Sequence, residues 1–116
     1  MKVSLLNDRV LLLASSSEYC CLNNIMNEVL HGFNPGDLFD VSGREGDVAR
    51  GLLASFGERC DEAREMYLSL AEIKTLLKVA PIVGGVLKGR HLRNRVGITH
   101  DELHRVIEDF EAVLKM

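Results

Sequence analysis

Ser15–Glu18, Ser42–Glu45 and Thr99–Glu102 share one spacing, and each opens a stretch with apolar residues at helical intervals. In such a capping box the hydroxyl accepts an otherwise orphaned helix N–H, while the glutamate accepts the N–H of the capping residue. This signal constrains the fold more than any other, because it fixes both where helices start and which face they bury. The first helix is expected over about 16–31, with Leu22, Ile25, Met26, Val29 and Leu30 as its stripe and Gly32 as its stop. The second follows Ser42, carries Val48, Ala49, Leu52, Leu53 and Phe56, and is expected to end at Gly57. The last follows Thr99, with Leu103, Val106, Ile107, Phe110, Val113 and Leu114 on one side.

The intervening segments are less marked. From Arg59 strong helix formers recur at helical spacing, which predicts one helix ending before Pro81. The alternative is a short strand over Met66–Leu70, with Ser69 and Glu72 capping a new helix. Residues 82–96 hold Gly84, Gly85 and Gly89, which weaken any helix there. At the start, Lys2–Leu6 and Arg9–Ala14 read as two short strands joined at Asn7–Asp8. The second is apolar at alternate and at intervening positions alike, so it should be covered on both faces, or be helical instead.

These elements predict a mostly α fold, with α+β as the alternative: a compact domain of four or five helices with a small N-terminal strand element. One domain, 1–116, fits the length. Area scaling gives a folded surface of about 6,300 Å², so around two-thirds of the unfolded surface can be buried without metal or disulfide staples. Four Phe, two Tyr and no Trp leave the core to Leu, Val and Ile, with Phe56 and Phe110 as its anchors. No apolar run is long enough to span a membrane. Asn7, Asp8 and Arg9 interrupt the only stretch resembling a signal sequence, so a cytoplasmic protein is expected. Cys20, Cys21 and Cys60, odd in number and two of them adjacent, suit a reducing compartment and small buried side chains better than disulfides.

A weak repeat runs through the chain at a spacing of 54. Ser15/Ser69, Glu18/Glu72, Leu22/Leu76, Val29/Val83, Leu38/Leu92, Gly43/Gly97, Asp47/Asp101 and Phe56/Phe110 match without gaps. They divide the domain into pseudo-repeat halves 1–58 and 59–116, two degenerate helix-turn-helix units. The same positions are also where any two such units would agree.

The run Leu22–Asn23–Asn24–Ile25–Met26–Asn27–Glu28–Val29–Leu30–His31–Gly32 resembles small uncharacterised bacterial proteins with an LNxxLNEVxxG-type helix. In that family an aromatic and Gly loop and an acidic amphipathic helix follow, a continuation that Phe39, Gly43 and Asp47–Leu53 fit. The resemblance implies a fold and brings no catalytic residues.

Charge is divided unevenly. Residues 1–58 carry 4 bases and 8 acids, and residues 59–116 carry 10 and 9. Ile73–His100 has no acid, but holds Lys74, Lys78, Lys88, Arg90, Arg93 and Arg95. Lys88, Arg90, Arg93 and Arg95 are the candidate surface for a protein partner or for phosphate. Nucleic acid is the less favoured partner: the sequence pI is about 5.8, and a recognition helix starting His100–Asp101–Glu102 would present acids to phosphates. The alternative is that this stretch neutralises the protein's own acidic helices. His100 and His104 have metal-ligand spacing, yet the Glu of an H-E-x-x-H site is missing, so no metal and no cofactor are expected. Neither a nucleophile elbow nor a phosphate-binding G-x-x-x-x-G-K-[ST] loop is present. The expectation is a non-enzymatic protein that binds a protein partner, for example an immunity or inhibitor protein of a bacterial toxin. The alternatives are a nucleic-acid-binding regulator and a self-associating module, such as a homodimer.

Overall fold

The computed structural model describes all 116 residues. In chain order it has β1 (Lys2–Leu6), β2 (Arg9–Leu13), α1 (Ser16–Asn27), α2 (Arg44–Asp61), β3 (Met66–Ser69), α3 (Leu70–Val86), α4 (Arg90–Val96) and α5 (His100–Leu114). Five helices and a small three-stranded antiparallel sheet thus make up a mostly helical domain with a strand element. Its accessible surface, 6594 Å², is close to the area-scaling value for this mass.

Asn7, in the left-handed region at φ 58°, makes the tight turn between β1 and β2. The sheet order is β1-β2-β3, with Val3 opposite Leu12, and Leu12 opposite Met66. Val10, Leu12, Met66 and Leu68 point into a core of 26 buried residues. The helices supply the rest of the core, and Phe56 and Phe110 are both fully buried. Tyr19 packs on Phe56, with ring centroids 6.4 Å apart. Its hydroxyl shares its one proton between the carbonyls of Arg64, at 2.6 Å, and Leu12, at 3.2 Å, so the ends of β2 and of the loop into β3 are tied to α1.

The boxes at Ser15–Glu18 and Thr99–Glu102 form as expected, and Ser69–Glu72 forms another. The Ser42–Glu45 box does not. Gly43 is the N-cap of α2, and Glu45 accepts the Asp40 N–H at 3.0 Å instead. The chain doubles back so tightly here that a Cβ on Gly46 would lie 1.7 Å from the Val41 carbonyl oxygen. α1 continues past Asn27 into one wider π-type turn, Glu28–Gly32.

Three other expectations are corrected. α2 runs past Gly57 to Asp61, although its last buried residue is Phe56; Arg59 donates to the Ser55 carbonyl one turn back and closes this last stretch. The single helix expected from Arg59 is broken, and Met66–Ser69 is a strand, as the alternative had it. Pairing with β2 buries Met66 and Leu68, and this outweighs the local helix preference. Nor does α3 stop before Pro81. Ile73, Leu76, Val79, Ala80 and Val83 form a buried face on both sides of the proline, while Pro81 itself is exposed and its missing hydrogen bond faces solvent. The segment 82–96, unmarked in sequence, becomes the end of α3 and the short α4.

The spacing of 54 is carried into the structure. Each half has the order strand, capped helix, short helical turn, long helix: β2, α1, Gly36–Leu38 and α2, then β3, α3, α4 and α5. Equivalent pairs are buried together, among them Tyr19 and Ile73, Leu22 and Leu76, Ile25 and Val79, and Val29 and Val83. Leu12 pairs with Met66, its own equivalent 54 positions on. An antiparallel pair centred on equivalent residues is what a two-fold relation between the halves requires.

Candidate functional site

Lys88, Arg90 and Arg93 are exposed on α4 and the turn leading into it, and no carboxylate pairs with them. Arg95 differs. Its Nε lies 2.8 Å from Glu28 Oε1 in an ion pair, and the Glu28 side chain is only 7% exposed. The four candidate residues are therefore three free cations and one structural one. Lys78 is also neutralised, by Glu45. The sequence signal for Glu28 was slight. It opens the π-type turn that follows α1, and only the return of α4 over Gly32 makes it a buried partner.

The sheet offers a second surface. Its inner face is covered by helices, whereas its outer face, built from Lys2, Ser4, Leu6, Arg9, Leu11, Leu13, Tyr67 and Ser69, has no buried residue. Leu6 is 44% exposed, Leu13 43% and Tyr67 49%. The Arg9 guanidinium stacks over the Tyr67 ring at 4.8 Å. The apolar character of β2 on both sides predicted cover on both, and the chain supplies cover on one. This patch was not singled out in the sequence, although the unbroken apolar run Val10–Leu13 was its signal.

The other candidates hold less chemistry. Burial pushes the Cys60 thiol up to about 12, with Cys20 beside it adding to the effect, and burial raises Cys21 too. Such thiols are poor nucleophiles. His100 and His104 line a cleft of about 370 Å³ with Pro81, Leu103 and Ile107, and His100 Nε2 is buried without a hydrogen-bond partner. Nowhere do three His, Cys, Asp or Glu side chains converge as a metal's donor set. A second cleft, about 340 Å³ between α1 and α5, is lined by Glu18 and Glu102 among others. Each holds the backbone N–H of its own cap; against the opposing effect of burial, that bond and the Met1 ammonium 3.0 Å away hold the Glu18 carboxyl below its usual range, and the Thr99 N–H and hydroxyl do the same for Glu102. No helix is long and apolar enough to cross a membrane.

The fold and these surfaces define a mostly helical domain with one open sheet face. No family model matches the chain, nor does any curated protein or solved structure.

Proposed function

We propose that this is a non-enzymatic protein that acts by binding another protein, an inhibitor or immunity protein against a bacterial toxin being one form of that role. The outer face of the sheet carries the reading. Apolar side chains gathered on one open face mark protein-binding surfaces, whereas a solvated sheet face is normally polar. Here Leu11 lies opposite Tyr67, with Leu13 two residues along β2 and Leu6 at the far end of the face beside Arg9, on strands backed by the core.

The test uses a partner identified from the native host by cross-linking and rebuilt from purified components. Leu13→Asp should leave the fold and melting temperature nearly unchanged and weaken that complex at least tenfold. An unchanged Kd would remove the sheet face from the function.

A second reading, nucleic-acid binding, is favoured by one observation: Lys88, Arg90 and Arg93 have no carboxylate partner. Asp101 and Glu102 in the first turn of α5 weigh against it. An electrophoretic shift at about 50 mM salt decides, since affinity resting on phosphate contacts is strongest at low salt. Absence of a shift there ends that reading. Self-association is decided by mass at high protein concentration.

A further inference from the structure

The relation between the two halves is incomplete at one place. β1 lies along the outer edge of β2, with Lys2 opposite Leu13 and Leu6 opposite Arg9. Adding 54 to residues 2–6 gives 56–60, which lie inside α2 and cannot form a strand. The edge of β3 that corresponds to the β1-bearing edge of β2 is therefore empty, and β3 ends the sheet.

We propose that this free edge of β3 is a docking slot for one added antiparallel strand, supplied by an extended segment of a partner protein with apolar residues at alternate positions. The inference rests on the reading that the chain works by binding protein, and it names the mode and the segment. An edge strand presents a row of unpaired N–H and C=O groups, and strand addition uses main-chain hydrogen bonds for affinity and alternate side chains for selectivity.

Three observations select this edge and this occupant. First, the slot on β2 shows what fits: β1 places Val3 and Leu5 inward, half-buried against the core, and Lys2, Ser4 and Leu6 outward. α5 packs against β1 and so backs the strand that fills the slot on β2. Second, β3 is held ready. Met66 and Leu68 are buried, the Arg64 carbonyl accepts the Tyr19 hydroxyl, and the Glu65 carbonyl accepts Arg59 Nε at 3.2 Å. Third, β3 is short, four residues, but Met66–Ser69 contains no charge and no proline to block an added strand, whereas the opposite edge begins at Lys2.

The probe is a capped peptide of the β1 sequence, residues 2–6, titrated into the isotope-labelled protein. A second peptide is N-methylated at alternate residues, so that its side chains remain but its edge donors are lost. The proposal expects shifts at the Met66–Ser69 amides, slower hydrogen exchange there, and at least tenfold weaker binding of the methylated peptide. It is overturned if these amides do not respond at millimolar peptide, or if both peptides bind alike. Responses confined to Leu6, Leu11 and Leu13, with Met66–Ser69 silent, would overturn strand addition yet leave the outer face as the docking surface, so the two readings fail separately. Protection of the same amides without peptide, together with a dimer mass, would assign the slot to a second copy and overturn the partner segment.

Discussion

Arg95 Nε meets Glu28 Oε1 at 2.8 Å across the junction of α1 and α4, and Gly32 makes room for the pair: a Cβ there would lie 1.8 Å from Glu28 Oε2. Glu28 is 5% exposed, and its second oxygen has no partner. The pair orients α4 and therefore sets where Arg90 and Arg93 are displayed.

Removing the two partners should have unequal effects. Arg95→Ala leaves a buried carboxylate alone and should destabilise by about 2–4 kcal/mol, somewhat below the usual figure because the Arg95 side chain is half exposed. Glu28→Gln leaves a cation that water can reach and should cost about 1 kcal/mol. Urea unfolding of the two variants measures the difference, and equal losses would contradict the burial argument. Gly32→Ala should cost less than Arg95→Ala, since it pushes aside the end of the Glu28 side chain but leaves its cation in place.

Phe56 and Phe110 occupy equivalent places in the two halves, both fully buried. Each, changed to Ala, should lose about 3–5 kcal/mol. A near-neutral Phe110→Ala in chemical denaturation would show that α5 does not pack as described.

Pro81 is exposed in the interior of α3 and contributes no N–H to it. Pro81→Ala restores that hydrogen bond and should stabilise the protein by about 1–3 kcal/mol. A rise in melting temperature is the expected result, and a fall would mean that the bend at Pro81 fits the packing of α3.

The Cys60 thiol, normally near 9.0, is pushed up to about 12 by burial and by Cys20. The folded state therefore holds this proton more tightly than the unfolded chain. Its contribution to stability is complete below about pH 9 and is lost as pH rises from there through about 12. Cys60→Ser should remove this part of the alkaline loss of stability, and alkylation of folded Cys60 should be slow at pH 8. Rapid alkylation there would contradict the raised value.

The helix starts at Ser15 and Thr99, the stripe from Leu103 to Val113, the Asn7 turn and the spacing of 54 were all legible in the sequence, because each depends on residues a few positions apart or on simple recurrence. Even Ser69–Glu72 was legible, though it competed with an equally good local reading as one long helix. Four features were decided only by tertiary structure. Met66–Ser69 became a strand because β2 stood beside it, α3 passed Pro81 because both flanks of the proline had a core to enter, and Gly43 displaced Ser42 as a cap because the chain doubled back onto Asp40 and Val41. Arg95 left the basic surface because the fold brought it 67 positions back along the chain to Glu28. Local propensities differ by about a kilocalorie per mole or less between competing choices, whereas burying a single Leu or Met side chain yields about 1.5–3. Wherever local signals were nearly balanced, contacts between distant residues settled the outcome.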